Sequence, residues 1–191
     1  MIRGVFFTSK ELFPNAALKK LILPLVIEQV LAITVGLADT MMVSSVGEAA
    51  VSGVSLIDMF NNLIISVLAA LATGGAVVTS QFLGAGKKED ACKSAKQLIV
   101  SSVCITIGIS ILVMVFCNGI ISLFFGKIEA DVFHNAVIYM MISALSFPFL
   151  ALYNSCAALF RSMGNSQITL KVSVVENIIN IGGNALGVYV L

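Results

Sequence analysis

Two carboxylates stand inside one long apolar run near the start of this chain. The run covers residues 21–46 and contains Glu28 and Asp39. A hydrophobic stretch of this length is typical of a transmembrane helix. An ionisable side chain in such a helix costs about 2.5–3.5 kcal/mol on insertion scales, and it usually faces a protein interior or a watery cavity where it has a task. The chemistry that such acids can perform there is the binding of a cation or a proton.

The spacing of the two acids places them on one side of the helix. Glu28 and Asp39 are eleven positions apart. At about 100° per residue, eleven steps return to within roughly 20° of the same direction, and the two residues lie about 16 Å apart along the axis. We therefore interpret this face as the polar side of a transport pathway.

A second polar group lies in the last apolar run. Asn177, Asn180 and Asn184 follow a spacing that forms one stripe on a helix. Asn180 and Asn184 are predicted at about the depth of Asp39, counted along the helices. A carboxylate that faces amide oxygens can form an oxygen cage for sodium, and a buried carboxylate can equally bind a proton. Alternatively, the asparagines form hydrogen bonds that only hold helices together.

Other charged residues in the apolar runs have weaker claims to a function. Glu28 could line the pathway, or it could reach the membrane surface and pair with a base such as Lys20 or Arg161. Glu176 is a further candidate for lining the pathway, and it could also pair with a basic residue. Asp58 is expected to be a solvated charge near the outer mouth of the pathway.

The composition excludes several classes of protein. The chain is 59% hydrophobic and only 11% charged, whereas soluble domains average about 25% charged residues. The formal net charge of +1 gives no reason to expect a nucleic-acid partner. Neither a catalytic triad, a metal-binding His/Cys spacing, a P-loop nor a dinucleotide glycine pattern is present. We therefore expect no enzyme activity and no cofactor.

The elements that position these residues are predicted to be all α-helical, in a polytopic transmembrane bundle. The small residues Gly74 and Gly75 in the second span predict a close approach between helices. Pro24 is expected in the first turn of the first span. Residues 1–20 mix aromatic and basic side chains, which is typical of an amphipathic segment on the cytoplasmic membrane surface. The alternative is a disordered basic tail. The predicted spans are roughly 21–46, 54–82, 98–125, 132–160 and 168–191.

The distribution of basic residues predicts the orientation. With five spans and a cytoplasmic N-terminus, ten of the eleven basic residues fall inside, and only Lys127 falls outside. Cytoplasmic loops carry the excess of Lys and Arg, so the N-terminus is predicted to be cytoplasmic. We expect the membrane to be the cell membrane. The ten inside residues are Arg3, Lys10, Lys19, Lys20, Lys87, Lys88, Lys93, Lys96, Arg161 and Lys171.

Four stretches together resemble the multidrug and toxic compound extrusion (MATE) family of secondary transporters. They read PLVIEQVLAITVGLADTMMVSSVGEAAVSGVS, LATGGAVVTSQFLGAGKKEDA, ALFRSMGNSQ and VVENIINIGGNAL. Each follows the pattern of that family's first five helices and their loops, in the same order, over nearly all of residues 21–191. The resemblance implies the N-terminal lobe of an exporter of organic, often cationic or amphipathic compounds. Inward flow of sodium or protons would drive the export.

The same resemblance assigns roles to three residues. Asp39 matches the first-helix aspartate that acts in cation coupling, and Asn180 and Asn184 match a pair on the fifth helix. Many members have aspartate where this chain has Asn184, so the choice between sodium and proton stays open.

The chain is short for that family, whose members have two six-helix lobes. It would lack the sixth helix and the second lobe, which suggests a fragment. A second lobe, or a second copy of the chain, would then complete the cavity. The other expected partners are small organic substrates and membrane lipids. The alternatives are a related lipid-precursor flippase and a membrane scaffold that transports nothing.

Overall fold

The computed structural model describes residues 15–45 and 47–189, and α-helices make up nearly all of this part of the chain. Short turns join the helices, and Gly126 ends the third of them with a positive φ of 68° that favours glycine. The predicted all-α fold is confirmed. The five helices are α1 (Asn15–Ser44), α2 (Glu48–Gly84), α3 (Lys88–Phe125), α4 (Ala130–Ser162) and α5 (Ser166–Tyr189).

Each predicted span corresponds to one of these helices. By length and composition, α1 from Leu18 onward, α2, α3 and α4 can each cross a membrane. Of the helices in the described residues, α5 alone is not among these candidates. Its apolar content is interrupted by Lys171, Glu176 and the asparagines. The bundle therefore has five helices, of which four are long and apolar.

The first helix begins earlier than the apolar run. Residues 1–14 of the predicted surface segment lie outside the described residues, whereas Asn15–Lys20 form the first turns of α1. Pro24 consequently lies inside α1, and its expected place in the first turn is wrong. Near this proline, the hydroxyl of Ser166 at the start of α5 donates to the Leu21 carbonyl at 2.9 Å.

The largest packed core lies among α2, α3 and α4, which contact one another extensively. Small residues on α2 and α4 allow the helices to approach closely; Gly53 of α2, for example, lies against the α4 backbone at Val132 and Ala136. Many large apolar side chains point outward, as expected of helices that face lipid. The buried core residues are Ile57, Val113, Cys117, Ile121, Ala136, Met140, Ala144 and Phe147.

A proline inside α4 is accommodated by a hydrogen bond from α3. Pro148 has no N–H, so it cannot bond to the carbonyl four residues earlier, which is that of Ala144. The hydroxyl of Ser110 on α3 donates to that carbonyl at 2.7 Å. Side chains of neighbouring helices commonly satisfy the backbone groups that a proline frees within a membrane.

The remaining helices form a pair of their own. α1 packs mainly along α5, and the contacts of α1 with α2 and of α5 with α4 are sparse. The described part of the chain therefore consists of two packing units, the three-helix unit α2–α3–α4 and the α1–α5 pair. Because few contacts join them, space remains between the two units, and the polar residues of α1 and α5 line that space.

Candidate ion and substrate site

The structure brings Asp39 into contact with the α5 asparagines. Nδ2 of Asn184 donates to Oδ1 of Asp39 at 2.7 Å and to Oδ1 of Asn180 at 3.2 Å. Asn180 and Asn184 are four residues apart and so project from one face of α5. The predicted encounter of a first-helix carboxylate with fifth-helix amides therefore occurs, and the three side chains form a continuous hydrogen-bonded chain between α1 and α5.

This chain of side chains lies beside a cavity of about 530 Å³, which we call the Asp39 cavity. It is bounded by α1, α2, α4 and α5, so it lies between the two packing units. Its polar lining includes Asp39, Asp58, Tyr139, Asn180 and Asn184, and its remaining lining residues are Gly36, Thr40, Met42, Val43, Val51, Val54 and Ser55.

Two residues of the Asp39 cavity are not among the candidates named from the sequence. Asp58 of α2 is half-buried, and it accepts a hydrogen bond from the Tyr139 hydroxyl of α4 at 2.8 Å. Asp58 is therefore bonded to α4, and its expected place at the outer mouth of the pathway stays a prediction. A signal was present, because Asp58, Asn61 and Asn62 share one polar face of α2. Asn61 also reaches α4, where its Nδ2 donates to Oγ of Ser143 at 3.1 Å.

Glu28 lies in a second and larger cavity of about 780 Å³, which we call the Glu28 cavity. Glu28 is only 6% exposed, and its Oε2 has no hydrogen-bonding partner within the described residues. The alternative in which this side chain extends to the membrane surface is therefore wrong. Other polar residues that line the cavity are Gln29, Thr73, Ser80, Tyr153, Asn154, Arg161, Ser162, Ser173, Glu176 and Asn177.

The asparagine stripe of α5 divides between the two cavities. Asn177 and Glu176 line the Glu28 cavity, whereas Asn180 and Asn184 line the Asp39 cavity. Nδ2 of Asn177 donates to Oγ of Ser173 at 3.4 Å, which is a long hydrogen bond within the same helix. Asn177 therefore does not join the contact of α5 with Asp39.

The Asp39 cavity contains side-chain oxygens of the kind that bind small hard cations. Within residues 15–45 and 47–189, no group of three or more His, Cys, Asp and Glu side chains could hold a metal ion. The cluster instead offers the carboxylate of Asp39 and the amides of Asn180 and Asn184. Carboxylate and amide oxygens suit hard cations such as sodium.

Comparisons with known proteins agree with this fold. "Uncharacterized transporter YisQ" from Bacillus subtilis (strain 168) is 31% identical over 190 residues, which is 94% of this chain and 41% of that protein. "Probable multidrug resistance protein NorM" from Thermotoga maritima is 26% identical over 167 residues, or 85% of this chain and 34% of that protein. The chain therefore spans less than half the length of these relatives.

Two solved structures share the helix arrangement. A MOP superfamily transporter from Pyrococcus furiosus superposes with a TM-score of 0.83 over 91% of this chain and 38% of that one. An outward-facing multidrug resistance MATE family transporter of the MOP superfamily superposes with a TM-score of 0.82 over the same shares. Both are 21% identical to this chain, so they establish its fold alone.

A family model settles the membership. The model of the MatE family matches residues 24–186, which include all six candidate residues on α1 and α5. It matches most of the described helices, and this family comprises transporters and not enzymes. The resemblance seen in the four sequence stretches is confirmed, and the chain is a membrane protein that belongs to the MatE family.

Proposed function

We propose that this chain carries the ion-binding part of a cation-coupled exporter of organic cationic or amphipathic compounds. The observation that supports the proposal is the 2.7 Å contact between Nδ2 of Asn184 and Oδ1 of Asp39, because it links a membrane carboxylate of α1 to α5 beside a cavity. A carboxylate at this depth is costly, and such residues usually mark ion or proton pathways.

The Asn184 amide can donate to Asp39 and could also contribute an oxygen to a bound ion. In the present arrangement it donates through Nδ2 to Asp39. A half-turn about the Cβ–Cγ bond exchanges Nδ2 for Oδ1, so the same side chain would present an oxygen to a sodium ion held by Asp39. A proton on Asp39 would instead remove a charge and weaken the charge-assisted bond to the amide. Either ion therefore changes the contact between α1 and α5.

The arrangement of the helices would let a change in the α1–α5 contact move this pair relative to the three-helix unit. The α1–α5 pair has few contacts with the three-helix unit, and both cavities lie between the two units. An ion that alters the α1–α5 contact would alter the width of the space where a substrate binds. In antiporters of this kind, one half of the protein moves against the other around a central site.

The partners of the chain follow from its length. Because the chain spans less than half of its relatives, we infer that a second lobe completes the substrate pathway, and a second copy of this chain is the other candidate. Asn180 and Glu176 on α5 are exposed polar residues, which need such a cover within a membrane. We propose that the protein lies in the cell membrane. We also propose that its N-terminus is inside, because the basic residues predict that orientation.

Efflux of ethidium from an efflux-deficient bacterial host that expresses the whole gene encoding this chain tests the proposal. We expect Asp39→Asn to abolish efflux, because it removes the charge that holds the coupling ion. Glu48→Gln removes an exposed charge at the start of α2 and should leave efflux intact.

The same cells distinguish the alternatives. If Asp39→Asn exports ethidium as well as the parent protein does, the coupling role of Asp39 is wrong and a scaffold role gains support. A defect in lipid-precursor transport without any dye efflux would instead favour the flippase. Imposing either a sodium gradient or a pH gradient on everted vesicles identifies the coupling ion.

A further inference from the structure

The Glu28 cavity has the features of a binding site in its own right. We propose that it binds the charged head group of an organic cation, with Glu28 as the residue that recognises the positive charge. This inference rests on the proposed function for the class of ligand, and it assigns that ligand to a place distinct from the ion site at Asp39.

The proposal rests on the burial of the Glu28 side chain and on its unpaired oxygen. It is 6% exposed, and its buried Oε2 accepts no hydrogen bond within the described part of the chain. An ionised carboxylate without a partner in a low-dielectric environment is strongly unfavourable. A cation in the adjoining cavity would supply that partner, so the site suits a positively charged ligand.

The other charged groups of the cavity reinforce this preference. Glu28 of α1, Glu176 of α5 and Arg161 of α4 line the same space. Two carboxylates and one guanidinium leave one negative charge in excess when all three are ionised. The Nε of Arg161 donates to the Ala157 carbonyl of its own helix at 3.2 Å, so this nitrogen is not directed at either carboxylate.

The remaining walls suit the apolar body of such a ligand. The α2 wall of the cavity presents mainly small or apolar residues, including Ile65, Ala69 and Val77. The half-buried ring of Tyr153 lies in the same lining, and an aromatic face attracts a cation. The volume of about 780 Å³ is that of pockets which hold drug-sized molecules.

The two carboxylates of α1 thus have separate surroundings. Asp39 already accepts a bond from Asn184, whereas the Oε2 of Glu28 has no bond. They lie about 16 Å apart along one helix, and both face the space between the α1–α5 pair and the three-helix unit. An ion at Asp39 and an organic cation at Glu28 would therefore act on the same moving element.

Equilibrium binding of radiolabelled tetraphenylphosphonium to the detergent-purified protein, expressed from the whole gene that encodes this chain, tests this assignment. The buffer contains potassium and no sodium, and no gradient is present, so the result does not depend on ion coupling at Asp39. We expect Glu28→Gln to weaken binding by about tenfold or more, the loss expected when one charge pair is removed from a partly dehydrated site. Glu28→Asp keeps the charge and should bind more tightly than Glu28→Gln.

Matched controls separate recognition of charge from general damage. Glu129→Gln removes an exposed carboxylate before α4 and should bind as the parent chain does. Triphenylphosphine oxide has a similar aromatic body without the positive charge and should compete poorly. If Glu28→Gln does not fold, Ala32→Leu narrows the cavity without changing its charge, and it should weaken tetraphenylphosphonium more than the smaller tetramethylammonium.

Two results would overturn the proposal. One is a folded parent protein, expressed from the whole gene and verified by circular dichroism, that does not bind tetraphenylphosphonium. The other is Glu28→Gln, or Ala32→Leu in its place, with the affinity of the parent. Either result would leave the proposed role of Asp39 standing, because that role is tested by efflux.

Discussion

Asn184 donates its amide Nδ2 both to the Asp39 carboxylate and to the Asn180 carbonyl oxygen, so one side chain joins α1 to α5 and orders its own helix face. The bond to Asp39 is charge-assisted and short, which makes it stronger than a bond between neutral groups. Asn177 is a suitable comparison for Asn184, because it is the same residue type and lies about one helical turn before Asn180. It makes only a long hydrogen bond within α5.

Replacing this amide tests what the contact contributes to stability. We expect Asn184→Leu to lower the free energy of unfolding by about 1–2 kcal/mol, because Asp39 loses a donor in a partly buried place. Asn177→Leu should change it by less than about 0.5 kcal/mol. Unfolding of the detergent-solubilised chain by added SDS, followed by circular dichroism, measures both, and equal losses in the two variants would contradict the assigned contact.

The residues of the candidate site could be predicted from the sequence only in part. The apolar run made Asp39 and Glu28 conspicuous, and helical spacing predicted that Asn180 and Asn184 share a face. Asp58 was not predicted as a site residue because its position in the membrane was inferred from its place near the start of an apolar run. Its surroundings depend on Tyr139, which lies 81 residues away in the chain. The unpaired state of Glu28 was not predictable either, since it depends on how α1, α2, α4 and α5 pack.

At the scale of the helices, α4 depends on its neighbour α3. Because Pro148 has no N–H, the Ala144 carbonyl lacks its usual donor within the helix. The Ser110 hydroxyl donates a hydrogen bond to that carbonyl at 2.7 Å instead. A serine in an apolar span is therefore part of how this helix tolerates a proline. Ser101 of α3 differs, because it bonds only to carbonyls of its own helix.

A double-mutant cycle tests this compensation. We expect Ser110→Ala to destabilise the chain by about 1 kcal/mol, because the Ala144 carbonyl loses its donor. The same change should cost less in a Pro148→Ala background, since the new N–H at position 148 can bond to that carbonyl. Ser101→Ala is the control and should be nearly neutral. SDS unfolding gives the coupling energy, and a Ser110→Ala cost that is unchanged by Pro148→Ala would contradict the explanation.

Close packing of α2 against α4 makes a second prediction at this scale. A Cβ at Gly53 would lie 3.0 Å from both the Ala136 nitrogen and the Val132 oxygen of the α4 backbone. Gly53→Ala should therefore destabilise the chain by about 1–3 kcal/mol, because backbone atoms cannot move aside easily.

Gly74→Ala is the matched control for that substitution. A Cβ at Gly74 meets no atom within 4 Å, so this variant should be neutral or gain up to about 1 kcal/mol from the better helix former. Thermal unfolding followed by circular dichroism compares the two, and an equal response would rule out a steric origin. The sequence predicted close approach at Gly74 and Gly75 alike, whereas only Gly75 has a neighbour, the side chain of Leu98.

The helices exceed the apolar runs from which they were predicted, and α3 shows why. Hydropathy predicts a span from residue 98, but the helix begins at Lys88. Glu89 and Asp90 in its first turn interact favourably with the helix dipole, so the polar residues continue the helix outside the apolar part. Hydropathy detects the segment that contacts lipid, and helix ends are decided by local charge and turn residues such as Gly86.

At the scale of the whole molecule, the charges are distributed unevenly along the helix ends. Lys87, Lys88, Lys93 and Lys96 are grouped between α2 and the first turns of α3. The turn between α3 and α4 carries a single lysine, Lys127. α3 has 38 residues and is apolar enough to cross a membrane, so these two groups lie on opposite sides if it crosses. The positive-inside rule then assigns the four lysines to the cytoplasm.

Cys92 reports on this orientation directly, because it is exposed and lies among those lysines. In a Cys104→Ser background, which removes the other exposed thiol, a membrane-impermeant maleimide should label Cys92 only after the cells are permeabilised. A Lys127→Cys variant that also lacks Cys92 and Cys104 should be labelled on intact cells, since α3 separates the two positions. Labelling of Cys92 but not of Lys127→Cys on intact cells would place the N-terminus outside, against the charge distribution. Labelling of both on intact cells would mean that α3 does not cross the membrane, and the transmembrane bundle itself would be wrong.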